Sequence, residues 1–300
     1  MIKIIDLNFF SEQTIASFLI ETSDGPFLIE TGPDSTFSNL EKGIKESGYD
    51  PEEIKHVLLT HIHLDHAGAA WHFAENGATI HVHSKGAPHM AHPSKLLQSA
   101  ERIYGDKMDF LWGTMKPISS DQIHIVEDSD EIRLGNTKIK ALYTPGHAQH
   151  HLAYVIDDVV FTGDVGGVRI DGKAVEPPCP PPDINLELWQ KSIDRLRELR
   201  PEALYLTHFG KYEDVGNHLD ELEERLYRYA DWMKQQMIDG KEKEQITKDF
   251  ERYLQSDLKE SGLDKKGLEK YEIADPSWMS VSGLMRYWKK YHPEELEKKV

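Results

Sequence analysis

Three hundred residues, 39% hydrophobic and 29% charged, suffice for one large domain or a domain with an appendage, and they favour a packed core over disorder. A formal net charge of −17 argues against the clustered positive surface that nucleic acids and anionic lipids require, so no nucleic acid and no membrane partner is expected; the small-molecule substrate expected of this chain rests on its motifs and not on its charge. The single cysteine, Cys179, makes no internal disulfide and no apolar run is long enough for a span, which together lead us to expect a cytoplasmic protein.

The chain begins with strands. SFLIE and PFLIET are short β-type runs joined at Ser23-Asp24-Gly25, a hairpin signal. Leu40 and Ile44 at helical spacing predict a helix over 38–47, stopped at Gly48. HVLLT reads as a buried strand, 67–75 as a helix and ATIHVHS as a strand. Residues 86–120 carry Pro88, Pro93, Gly105, Gly113 and Pro117 among helix-like pieces such as 96–104, and read as an insertion of short helices and loops. Strands return at QIHIVE, KIKALYT, HLAYVI and DVVFTGD, with turns at Gly135-Asn136 and Asp157-Asp158. A proline-rich loop over 176–183, a helix over 186–199 and the strand ALYLTH follow. From Glu213 turn signals thin out, and Leu219, Leu222, Leu226, Tyr229, Trp232 and Met233 form a helical stripe. That tail holds 21 acidic and 16 basic residues, so it is not a basic arm. The order predicts an α/β layered domain over 1–212 with a helical C-terminal region over 213–300.

The densest chemistry lies in THIHLDHAG, directly after the HVLL run. His61 and His63, two apart, point to one side of an extended backbone, and Asp65 and His66 follow at the turn into a helix. Imidazole nitrogen with carboxylate oxygen is a zinc-type donor set, and four ligands so close suit two ions better than one. Three further candidates each stand just past an apolar strand: His147 after Thr-Pro-Gly, Asp164 after Thr-Gly, and His208 after ALYLT. Strand ends are where α/β sheets build active sites.

This set resembles the metallo-β-lactamase superfamily, and within it glyoxalase II-like metal-dependent hydrolases. The resemblance covers about 1–212 and all seven ligand positions. It implies an αββα sandwich, two mixed sheets face to face with helices outside. It further implies that His61, His63 and His147 hold one metal, that Asp65, His66 and His208 hold the second, that Asp164 bridges them, and that a bridging hydroxide completes the pair. Two divalent ions are therefore expected, zinc first, with iron or manganese as alternatives. The expected reaction is hydrolysis of an activated ester, thioester or lactone, with Asp65 also orienting the hydroxide as its catalytic role. The rival readings are an iron-dependent persulfide dioxygenase-like oxidoreductase, a phosphodiesterase and a non-catalytic metal-binding protein.

Other residues receive plainer readings. His81 and His83 form a second HxH pair with no third ligand after it, and read as structural. His89 and His92 read as surface or pocket rim, His151 as either support for the metal site or simple packing, and His150 carries no reading. Cys179 reads as an ordinary loop thiol, the prolines around it as a pocket wall, and Arg169 as a candidate to meet an anionic substrate. Trp232 and Trp278 read as core or homodimer contacts. The insertion and the tail are the expected seat of substrate specificity.

Overall fold

A computed structural model describes residues 1–297; the last three residues of the 213–300 region lie outside it. Two six-stranded sheets face each other. The first runs in chain order through β1 (Ile2–Asp6), β2 (Ala16–Thr22), β3 (Gly25–Ile29), β4 (His56–Leu58), β5 (Thr79–His83) and β6 (Ile123–Val126). The second holds β7 (Glu131–Leu134), β8 (Thr137–Tyr143), β9 (Leu152–Ile156), β10 (Val159–Phe161), β11 (Ala203–Leu206) and β12 (Gly210–Tyr212). Both sheets are mixed: β3 to β6 pair in parallel and β1 to β3 antiparallel, while β10–β11 is the parallel pair of the other sheet. Each tight turn read from sequence closes a two-residue connection in register, Thr22 opposite Gly25, Leu134 opposite Thr137 and Ile156 opposite Val159.

Helices cover the outer faces, as apolar sheet faces require. The first sheet carries α1 (Phe37–Glu46), α2 (Leu64–Ala67), α3 (Ala70–Glu75), α4 (Ala87–Ala91), α5 (Ser94–Tyr104) and α6 (Met108–Trp112). The second carries α7 (Leu186–Leu199), and beyond it α8 (Val215–Ile238), α9 (Lys243–Glu260), α10 (Lys265–Ala274) and α11 (Ser277–Tyr291). The helix expected over 67–75 is instead two helices, and it begins earlier. The N–H of Ala69 is given to the Gly32 carbonyl at 3.0 Å, a tertiary bond that interrupts the helical ladder at Gly68-Ala69. Asp65 and His66 consequently sit inside α2 rather than ahead of a helix.

Three buried layers follow. Phe18, Phe27, Tyr154 and Phe161 fill the space between the sheets. Leu40, Ile44, Phe73 and Met90 pack the helices on the first sheet. Trp189, Leu219, Leu226 and Trp288 belong to one continuous cluster with Val160 and Leu204, so the C-terminal helices share a core with the second sheet. There α11 meets the proline loop backbone to backbone at Gly283, where a Cβ would collide with the Cys179 carbonyl. Among the described residues no helix is long and apolar enough to cross a membrane.

Candidate metal centre

All seven candidate ligands converge at one rim of the sandwich. His61 and His63 lie where β4 has just ended, and Asp65 and His66 lie on α2. His147 stands in the β8–β9 connection, Asp164 in the turn after β10, and His208 between β11 and β12. Thr60 holds the first turn open. Its hydroxyl lies 3.0 Å from Nδ1 of His61, and its N–H donates to Glu30 at 3.2 Å. Gly163, with φ +51°, passes so close to Thr60 that a side chain there would strike its hydroxyl.

The seven form two groups that share one member. One ligand atom each from His61, His63, His147 and Asp164 lie within 4.8 Å of one another, and so do those of Asp65, His66, Asp164 and His208. In the first group Nδ1 of His63 is 3.0 Å from Nε2 of both His61 and His147, and Nε2 of His147 is 3.3 Å from Asp164 Oδ2. In the second, Asp164 Oδ1 is 3.1 Å from Nε2 of His66 and 3.4 Å from Nε2 of His208, which in turn is 3.5 Å from Asp65.

Tautomers decide what these distances mean. Nδ1 of His147 lies 2.9 Å from the Pro178 carbonyl, and Nδ1 of His208 lies 2.6 Å from the Thr14 carbonyl. A carbonyl only accepts, so each Nδ1 carries a proton and each ring turns its Nε2 into the site, where a neutral ring offers a lone pair. Nδ1 of His63 faces Nε2 of both His61 and His147, and the one proton it can carry serves at most one of them. Both ring nitrogens of His66 and Oδ1 of Asp164 are buried with no hydrogen-bond partner. Buried acceptors that face one another unpaired are costly, and a cation among them removes the cost. The residues therefore fit two metal ions, with carbonyls fixing the ligand rings from behind.

The charge state separates the groups. Burial pushes His61 well below the ordinary imidazole range and takes His147 down to about 4, so these rings stand neutral and ready to ligate. Burial also opposes charge on His66 and His208, but Asp164 and Asp65 outweigh it and hold both rings above the ordinary value. Asp65 itself is raised by burial, yet His66 and His208 bring it down to about 2.

Neighbouring residues sort clearly. Glu30, unread in the sequence, is fully buried at the end of β3 with φ +66°, and its Oε2 lies 3.5 Å from Nδ1 of His66. An acid closing a buried apolar strand was the signal, and it lay inside PFLIET. His151 is buried, 2.9 Å from the Thr144 hydroxyl, with its ring lying along that of His61 at 5.0 Å. His81 contacts His56 at 3.1 Å and His83 stacks on Tyr143, both away from the site. Arg169 does not meet the cavity: its guanidinium is committed to Asp214 at 2.8 and 2.9 Å and lies over the Tyr212 ring. Cys179 is buried and its thiol is pushed well up by burial, which removes nucleophilic character. Trp232 packs in the tail core against Tyr253, and Trp278 meets Tyr104 of the insertion edge-on at 6.0 Å.

A cavity of about 410 Å³ opens over the two groups. His63, Asp65, Asp164 and His208 floor it, Pro178 and Pro180 to Pro182 form one wall, and His89 and His150 stand on its lining. Tyr104 was not singled out in the sequence; it lines the same cavity, and burial together with Asp65 raises its phenol, so it stays a donor at neutral pH.

A family model described as the metallo-beta-lactamase superfamily matches residues 12–208, more than half the chain. The chain belongs to the metallo-beta-lactamase superfamily. It is 32% identical over 163 residues to a metallo-beta-lactamase fold-containing protein from Sulfurisphaera tokodaii, a match covering 53% of this chain and 62% of that relative. It thus spans less than two thirds of that relative's length. An N-acyl homoserine lactonase from Bacillus cereus is 26% identical over 222 residues, covering 64% of this chain and 79% of the lactonase. A solved metallo-beta-lactamase family structure from Thermus thermophilus superposes with a TM-score of 0.70 over 96% of this chain and 93% of its own, at 19% identity. The last likeness concerns the fold alone. It extends beyond the residues that the family model matches, so the superfamily fold with its C-terminal helices has a counterpart of nearly the same extent.

Proposed function

We propose that this chain is a dinuclear metal-dependent hydrolase acting on an activated ester, thioester or lactone. One observation carries the reading: two four-residue groups share Asp164, and both ring nitrogens of His66 and Oδ1 of Asp164 lie buried without a hydrogen-bond partner where the groups meet. His61, His63 and His147 would hold one divalent ion and Asp65, His66 and His208 the other, with Asp164 between them. Nitrogen and carboxylate donors without a thiolate suit zinc, and also iron or manganese. When bound, two such ions acidify water and polarise the carbonyl oxygen of a scissile group.

The remaining work falls to the protein. Asp65 stays ionised and keeps its side chain 21% exposed towards the cavity, so its oxygen can accept a hydrogen bond and orient the attacking water. The phenol of Tyr104 makes no hydrogen bond among the described residues and is free to donate to a substrate carbonyl oxygen on the cavity wall. The rigid proline wall and α5–α6 restrict water around the bond to be cut. Similarity to an N-acyl homoserine lactonase supports the bond class.

Elemental analysis of the purified protein, coupled to a panel of thioesters, lactones and phosphodiesters, tests the reading. We expect about two divalent ions per chain and turnover of a carbonyl substrate. Absence of bound metal, with no activation by added zinc, manganese or iron, overturns it.

A further inference from the structure

Beyond its ligand floor the cavity is lined mainly by apolar side chains, with Lys95, Ser99, Arg102 and Asp275 as polar exceptions from the same elements. Away from the ligand groups its wall is built by Leu96 and Ile103 of α5, Leu111 and Trp112 of α6, and Ile273 and Met279 from the tail. None of these six belongs to the strands that carry the ligands. The insertion and the tail close on each other through the Tyr104 and Trp278 rings. A volume of about 410 Å³ falls among small-molecule sites, roughly 300–1,000 Å³, whose apolar walls bind and whose few polar groups orient.

The apolar path does not stop at the cavity. Trp112 stacks on Phe9 at 5.5 Å, Phe9 meets Phe10 at 4.5 Å, and Phe10 meets Phe110 at 5.0 Å. The last two rings are 49% and 69% exposed, among the few large hydrophobic side chains left in water. Scattered exposed rings are ordinary, but a stacked run that continues a cavity wall marks a binding surface. Phe10 is held there by a backbone φ of +56°, which a bulky residue adopts only at a cost.

We propose that the cavity is an acyl-chain site: the carbonyl of a medium- or long-chain acyl substrate sits over the ligand groups, its aliphatic chain lies between α5–α6 and the tail, and the excess length leaves across the Phe10–Phe110 lip. The inference rests on the hydrolase reading for the bond that is cut, but the chain site stands on its own apolar geometry. Hydrolysis releases a fatty carboxylate, with water supplying hydroxyl to the acyl carbon and a proton to the departing thiol or alcohol.

The test uses the metal-loaded full chain and a homologous series of acyl thioesters from C2 to C12, alongside calorimetric binding of the matching carboxylates. We expect kcat/KM and carboxylate affinity both to rise about fourfold per added methylene, ~0.8 kcal/mol per buried CH2, until the arm is filled, with the change mainly in KM. Leu111→Asn should reduce the C10-to-C4 ratio at least tenfold. Because that variant can also disturb α6, the exposed Phe110→Ser provides a second check and should lower the C12-to-C6 ratio. Turnover that is flat across the series overturns the chain site and leaves the hydrolase reading intact. A binding slope without turnover at any length, in these thioesters and in the matching esters and lactones alike, overturns the hydrolase reading and supports the chain site. Flat binding together with no turnover removes both, and an unchanged C12-to-C6 ratio in Phe110→Ser removes the lip.

Discussion

The two ligand groups on either side of Asp164 are built from similar residues and reach metal readiness by opposite routes. His61, His63 and His147 are imidazoles whose proton affinity burial lowers, and Asp164 is the one acid grouped with them as a candidate ligand. Around His66 and His208, Asp65 and Glu30 add negative charge, and the rings' proton affinity is raised against the cost of burial. The first group is assembled by excluding protons and the second by balancing them. Asp164 is the only carboxylate that belongs to both, so the comparison can be broken at the shared residue or on either side of it.

The largest effect is expected at the shared residue. Asp164→Ala removes a ligand from both groups and should lower metal content on both sides, with kcat/KM down about a thousandfold or more, since bound cations supply several kcal/mol to such reactions. Retention of two ions at full activity would break the account of a shared carboxylate. Glu30→Gln tests the asymmetry. It faces His66 directly and reaches His61 only through Thr60, and loss of such a directly supporting partner typically costs about 10- to 100-fold in metal affinity. Competitive chelation should show one weakened ion and one unchanged; equal weakening of both would contradict the division.

Acid stability tests burial without touching a ligand. His81, 4% exposed on β5, is brought down to about 3 by burial first and by His124 and His56 next. Its folded value lies below the ordinary 6.5, so the unfolded chain binds the extra proton and stability falls as pH drops below 6.5. Between pH 7 and pH 5 this amounts to about 2 kcal/mol. Urea melts at the two pH values should show that loss, and His81→Leu should reduce it; an identical pH slope in the variant would contradict the assignment. The smallest effect is expected from Tyr104→Phe. Loss of one donor should cost about tenfold in kcat with little change in metal content. An unchanged kcat would remove Tyr104 from the proposed chemistry.

The candidate ligands stood out in the sequence because each follows a short apolar strand, and the structure brings all seven to one rim. The residues behind them stood out less. Glu30 looks like a polar strand end in PFLIET, and only the left-handed backbone at that position turns its carboxylate towards His66. The carbonyls of Thr14 and Pro178, which fix two ligand rings, carry no side-chain signal at all. Arg169 illustrates the reverse error: a cation near a ligand loop suggested substrate binding, yet Asp214, 45 residues away, takes both terminal nitrogens of its guanidinium and the Lys173 carbonyl takes Nε. The helical stripe of the tail was readable from its spacing. That Leu219, Leu226 and Trp288 join the core of the second sheet, and that Ile273 and Met279 reach the cavity, depends on tertiary packing that no local pattern records.

Metal stoichiometry in paired single variants tests the division most directly. Elemental analysis should give about two ions per chain for the unaltered protein, and about one each for His147→Ala and His208→Ala, with the retained ion differing in its resistance to chelation. No metal in the unaltered protein after reconstitution, or the same residual ion in both variants, would contradict two sites that share Asp164.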